Sequence, residues 1–242
     1  MKKIPSIKEL RKEFGKKGTN GFINPACDFL AFYPAKIFLL FPFTPNQITI
    51  MWVLLKVVMA LFMLSGNYII TVIALLIFQL ASIIDGVDGI VARYRKHYSL
   101  NGQYLDYIGH YLANSVLLIC LAIGTYKNTL DTSILIITAI GVFSFLLGKA
   151  LTIQLSWYNG PARKKIDKII YTNNLSIKNQ GKGMMSIIGD FLLMDNPLNL
   201  MFWGVLLGYP TLTLTIYSIM LFLDMIRKLF LQFIKIYNAE KN

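Results

Sequence analysis

Apolar runs of about twenty residues, such as "TPNQITIMWVLLKVVMALFML" at 44–64, recur along this chain and limit what it can become. A helix that crosses a bilayer needs roughly 20 mostly apolar residues. Inside the bilayer the backbone has no water to bond, so helices satisfy it internally. Of 242 residues, 55% are hydrophobic and 15% charged, and the mean hydropathy is positive. A soluble fold of this size could not bury so many such runs. The sequence predicts an all-α integral membrane protein with six transmembrane helices and an N-terminal amphipathic interfacial helix.

Residues 5–18, "PSIKELRKEFGKKG", read as that basic surface helix. Residues 1–20 lack the apolar centre of a secretory signal peptide. Residues 23–43 hold Pro25, Pro34 and Pro42, which argue against a regular span and for an interfacial segment. The first span covers 44–64, with Thr44 or Asn46 as cap and Pro45 at the helix start. The second runs from about Tyr68 to Ala92, the third from Gly102 to Thr125, the fourth from Thr132 to Tyr158. The fifth is the least regular, because 186–208 holds Asp190, Asp195, Asn196 and Pro197; the acidic pair reads as the end of a shorter helix or as part of a pocket. The sixth runs from Thr211 to Met225. This divides the chain into an interfacial segment 1–43, a membrane domain 44–226 and a basic tail 227–242.

The net charge of +12 follows the same map. Lys and Arg collect before Phe43, at Arg93, Arg95 and Lys96, between 163 and 182, and in the tail, whereas the alternate connections hold only Lys127. That alternation is the positive-inside pattern and predicts both termini on the cytoplasmic side of the cell's inner or plasma membrane. The basic clusters suit anionic lipid headgroups. No nucleic-acid recognition module accompanies them. Cys27 and Cys120 have neither metal-ligand spacing nor the pattern of a disulfide framework.

Acids stand out against this background. Asp85 and Asp88 are one helical turn apart, with small Gly89 and Ala92 continuing their face and Arg93 at the boundary. Asp106 and His110 share a face of the next helix. An ionised carboxylate deep in the bilayer costs ~2.5–3.5 kcal/mol on insertion scales. Any one of these residues could serve structure alone, an aspartate as a helix cap and Arg93 as a headgroup anchor. Together they predict a cation-binding cluster near the cytoplasmic surface. Hard oxygen donors suit Mg²⁺, Mn²⁺ or Ca²⁺, and such ions at carboxylates suggest phosphate chemistry.

The order Asp85-x-x-Asp88-Gly89-x-x-Ala92-Arg93, eight residues, Gly102, three residues, Asp106 resembles the motif of the CDP-alcohol phosphatidyltransferase family, and "TPNQIT" at 44–49 looks like the family's lead-in to its first span. The resemblance implies transfer of a phospho-alcohol unit from a CDP-alcohol to a hydroxyl acceptor, with release of CMP. It implies two divalent ions, Mg²⁺ or Mn²⁺, with Asp85, Asp88 and Asp106 as ligands. It places Asn46, Gly86, Gly89, Ala92, Arg93 and Gly102 about the nucleotide, and makes a homodimer an expectation.

One position departs from the pattern. The family has a fourth Asp where this chain has His110. Imidazole can serve as a general base and, as a ligand, suits Mn²⁺ or Zn²⁺ better than Mg²⁺. Four aspartates balance two divalent ions; three leave the site one negative charge short, so the second ion should bind weakly or only with substrate. Protonated His110 would worsen this, so activity should fail at low pH. Two accounts stay open: His110 is the working base of a variant enzyme, or the site binds a CDP-lipid without turnover.

Lys56 and Lys149, inside predicted spans, and Arg163 are candidates to hold a phosphate of donor or acceptor. The two lysines could equally snorkel or pair with an acid. Asp224 and Arg227 suggest a local ion pair, and His97 reads as a solvated loop residue. "GKG" at 181–183 follows no strand and is no nucleotide loop. The sequence therefore favours a metal-dependent transferase acting on a CDP-alcohol, first CDP-diacylglycerol, with a polar hydroxylated acceptor. A non-catalytic lipid binder and a cation transporter are the competing classes.

Overall fold

The computed structural model describes residues 5–14, 24–97, 99–157 and 198–240. They form α-helices in chain order: α1 (Ile7–Phe14), α2 (Asn24–Leu40), α3 (Pro45–Phe62), α4 (Tyr68–Arg95), α5 (Leu100–Thr129), α6 (Ser133–Trp157), α7 (Leu198–Leu206) and α8 (Pro210–Glu240), with a 3₁₀ turn at Met63–Ser65. Among the described residues there is no strand. The protein is an all-α membrane protein. Four of its described helices are long and apolar enough to cross a bilayer: Pro45–Ser65, Tyr68–Arg95, Asn101–Thr129 and Ser133–Leu151. These match the first four predicted spans. Of the predicted fifth span only 198–208, which includes α7, is described; Asp190, Asp195 and Asn196 lie outside the described residues, as do Arg163 and the basic loop around it.

The N-terminal segment differs in detail from its expectation. α2 is a regular helix of 17 residues that keeps Pro34 inside it. Pro34 removes a single backbone donor, whereas Pro25 falls in the first turn, where an N–H has no helical partner. Pro42 lies beyond the helix end. At 17 residues α2 is about 25 Å long, and it is not one of the four helices of spanning length. Leu10 of α1, Ala31, Phe32 and Ala35 of α2, Ile48 of α3 and Val87, Ile90 and Val91 of α4 form one buried cluster. α1 and α2 are thereby seated against the end of α4 that carries the acids.

Helix boundaries follow local chemistry. Ser6 and Glu9 make a capping box on α1: Glu9 Oε2 accepts from the Ser6 N–H at 2.7 Å, and Ser6 Oγ accepts from the Glu9 N–H at 3.3 Å. Thr44 and Gln47 repeat it on α3, with Pro45 at the first position. Thr44→Ala removes one of α3's caps, so thermal melts of the purified variant should show a loss of about 0.5–2 kcal/mol; an unchanged melt would mean that packing alone fixes this terminus. α4 ends with Lys96 in the left-handed region (φ 54°). The Lys96 N–H donates to the Arg93 carbonyl and the His97 N–H to the Ala92 carbonyl, the double closure of a Schellman turn. Ser99 then caps α5, its Oγ accepting from the Gly102 N–H at 2.9 Å. α4 and α5 are thus joined by a very short link and run antiparallel.

The core proper lies further along the bundle, where Ala60, Leu75, Phe78, Ala113, Leu117 and Leu121 pack with Met201 and Leu214. A Cβ on Gly124 of α5 would run into the Met63 carbonyl oxygen, so the missing side chain lets α5 pass the end of α3. Cys120 is buried among these residues. α8 is longer than the predicted sixth span. Residues from Arg227 to Glu240 continue its helix without interruption, because no Gly or Pro stops it and its apolar residues keep recurring on the helical period. Asp224 pairs with Arg227 at 2.6 Å, as expected, and also with Lys228 at 2.7 Å.

Candidate active site

The start of α3, the end of α4 and the start of α5 meet at one end of the bundle. Arg95 secures this end, donating to the carbonyls of Phe43 (2.5 Å) and Phe41 (2.6 Å) in the link between α2 and α3. A cavity of about 470 Å³ opens there, lined by Pro45, Asn46, Thr49, Asp88, Gly89, Ala92, Arg93, His97, Ser99, Gly102, Gln103 and Asp106. Seven residues singled out from the sequence are among them: Asn46, Asp88, Gly89, Ala92, Arg93, Gly102 and Asp106. The two glycines leave space for ligand and neighbours. A Cβ on Gly102 would sit 2.7 Å from Asn46 Oδ1, and one on Gly89 would sit 3.2 Å from the Arg93 guanidinium. Gly86 instead faces α2, where an added Cβ would meet that of Ala31 at 3.0 Å.

The acids divide into two settings. Asp88 Oδ2 accepts from Thr49 Oγ1 at 2.6 Å and from Trp52 Nε1 at 3.2 Å. Both donors take the same oxygen, which fixes the carboxylate without consuming its second oxygen in those bonds. Asp85 and Asp106 gather around His110, whose Nε2 is 3.3 Å from Asp85 Oδ2 and 3.5 Å from Asp106 Oδ1. The His110 ring also rests on Trp52, with centroids 4.8 Å apart. One ligand atom each from Asp85, Asp106 and His110 lie within 4.8 Å of one another. The two carboxylate oxygens fit a divalent cation of the Mg²⁺ or Mn²⁺ kind, the imidazole nitrogen as a third ligand would favour Mn²⁺ over Mg²⁺, and Asp88 stands on the next turn of α4.

Lys56 completes the group from below. Its side chain is 3% exposed, and its Nζ lies 4.0 Å from Asp85 Oδ2. The ammonium also sits 4.4 Å from the Trp52 ring centroid and 5.4 Å from that of Phe78. Lys149 goes elsewhere: it belongs to α6, its Nζ is 5.7 Å from the Phe145 ring, and it does not line the cavity.

Several site residues escaped the sequence reading. The sequence marks Thr49 only as the last residue of "TPNQIT" and Trp52 not at all, yet both donate to Asp88. Thr49, Trp52 and Lys56 recur at intervals of three and four, one helical face, and this stripe of hydrogen-bonding side chains was the signal available. His97 is exposed, as a solvated loop residue should be, but it also lines the cavity mouth, as do Ser99 and Gln103. The tight Schellman closure of α4 holds it there.

Three acids and an imidazole thus converge beside a cavity at one end of a helical membrane bundle, a group that could hold a metal ion. Residues 43–236 match the sequence model of the CDP-alcohol phosphatidyltransferases, and the chain belongs to that family. The family's reaction passes a phospho-alcohol unit from a CDP-alcohol to an acceptor hydroxyl, and divalent metals typically support it. No curated protein matches the sequence as a close relative.

Proposed function

We propose that this protein transfers a phosphatidyl group from CDP-diacylglycerol to a polar hydroxylated acceptor and releases CMP, with His110 as general base. The observation that carries the proposal is the meeting of Asp88, Gly89, Ala92, Arg93, Gly102 and Asp106 on one cavity beside Asp85 and His110. A lipid donor suits the surroundings: Tyr104, Tyr107, Ile108 and Leu112 of α5 are all exposed beside the site, a surface along which acyl chains can lie. The catalytic unit spans 44–226, flanked by 1–43 and 227–242. The cavity end of α4 carries Arg93, Arg95 and Lys96 whereas the far end of α5 carries Lys127, which supports a cytoplasmic active site.

The reaction then runs as follows. Asn46 and Gly102 border the nucleotide, and Arg93 offsets pyrophosphate charge. Asp85, Asp88 and Asp106 would hold the divalent metal, which when bound polarises the phosphoryl group. The acceptor hydroxyl gives its proton to His110 as its oxygen bonds to the phosphorus of the phosphatidyl group. The bond from that phosphorus to the bridging oxygen of the pyrophosphate breaks, and CMP leaves with the electron pair. Asp85 and Asp106 orient the imidazole and offset the charge it gains, as a carboxylate does in other acid–base pairs.

The test is CMP release by purified protein with CDP-diacylglycerol, a set of hydroxylated acceptors and Mg²⁺ or Mn²⁺. Wild type should turn over, and His110→Ala should be slower by about 10²–10⁴-fold, the contribution of a positioned general base. Activity confined to His110→Asp would reject the proposal and favour binding without turnover.

A further inference from the structure

We infer that Lys56 takes the electrostatic place of one of the two expected ions, so that the resting protein holds a single divalent cation, at Asp85 and Asp106. The inference rests on the metal-dependent site of the proposed function and concerns how this chain loads it. Three observations carry it. The ammonium of Lys56 is buried, and it stands 4.0 Å from Asp85 Oδ2. Its surroundings hold it there: the rings of Trp52 and Phe78 flank it at 4.4 and 5.4 Å, and aromatic faces attract cations. Position 110 offers imidazole where a fourth carboxylate would add a negative charge, and that imidazole lies against the same two acids.

The charge count follows. Asp85, Asp88 and Asp106 supply three negative charges; Lys56 removes one, leaving the charge of one divalent ion. Arg93, which lines the cavity, only deepens the deficit. A second ion entering without nucleotide would find no negative charge left to balance it, and at low local dielectric its repulsion from the first ion and from the buried ammonium is strong. The pyrophosphate supplies the missing negative charge, so a second ion enters only with the substrate. A buried cation at Asp85 also keeps the acids from repelling one another while no metal is bound, which a membrane-embedded cluster requires.

The experiment is a Mn²⁺ titration of the full-length protein in detergent without nucleotide, with unbound Mn²⁺ read by electron paramagnetic resonance. Wild type should bind one Mn²⁺ per chain. Lys56→Met should bind that ion tighter by on the order of tenfold, the expected effect of removing a neighbouring like charge. Lys56→Met combined with His110→Asp should bind two, with the broadened spectrum of a coupled pair. Two ions, or none, on the wild type would overturn the inference, as would a single ion on the double variant. Should Lys56→Met fail to fold, Lys56→Gln carries the same test with a polar, uncharged side chain. CMP release measured on the same preparation separates the two ideas. Turnover with two ions bound before nucleotide sinks only the ion count; one ion without turnover sinks only the proposed reaction.

Discussion

Asp106→Asn should lose CMP release by about 10²–10³-fold or more while its melting curve stays close to wild type. The substitution keeps the shape of the side chain and one carbonyl oxygen but removes the charge that faces both the cavity and His110 Nε2 at 3.5 Å. Removing one preorganised electrostatic group from a catalytic site costs about 2.7–4 kcal/mol of barrier. The side chain is 39% exposed, and exposed substitutions usually change stability by within about 0.5 kcal/mol. Rate and melt therefore separate catalysis from folding. Full activity in Asp106→Asn would remove Asp106 from the site and, with it, the reading of the whole acidic group.

Substitutions of Trp52 should affect both stability and rate, by amounts that depend on the replacement. It is fully buried, donates to Asp88 at 3.2 Å, lies against His110 and faces Lys56. Trp52→Ala should destabilise the protein by about 3–5 kcal/mol through the cavity it leaves, and the yield of folded protein should drop with it. Trp52→Phe is the more informative variant, because it retains most of the ring and lacks the N–H. It should fold and yet release CMP about tenfold more slowly, since Asp88 loses a hydrogen bond worth ~1.5 kcal/mol when the acceptor is charged. Wild-type turnover by a folded Trp52→Phe would assign Trp52 to packing alone. The measurements are a thermal melt and CMP release, run on the same preparation.

Much of this site was legible in sequence because it is local. Asp85 and Asp88 fall on one turn of a helix, Asp106 and His110 on another, and helical geometry alone pairs them. The chain between them is too short to do anything but turn back, so the two helix ends must be neighbours. The first four spans were legible for a related reason: a bilayer demands about twenty apolar residues wherever a helix crosses. α2 was harder to read, since three prolines outweigh a moderate apolar pattern in any local reading. Burial against α4 through Ala31, Phe32 and Ala35 compensates for the backbone donor that Pro34 lacks.

The sequence by itself determined the membrane-spanning helical class and the acid-bearing ends of α4 and α5, with His110 one helical turn after Asp106. Each of these depends on residue type and on spacing along one or two helices. Only the tertiary structure decided what α3 contributes. Thr49 and Trp52 reach Asp88 across 39 and 36 residues of sequence, and Lys56 reaches Asp85 from the same helix, and no periodicity within α3 names its partners. It decided too that Lys56 points its charge at Asp85 and that Lys149 does not join the site. Whether a lysine in an apolar helix meets lipid, solvent or a carboxylate depends on the helix packed against it.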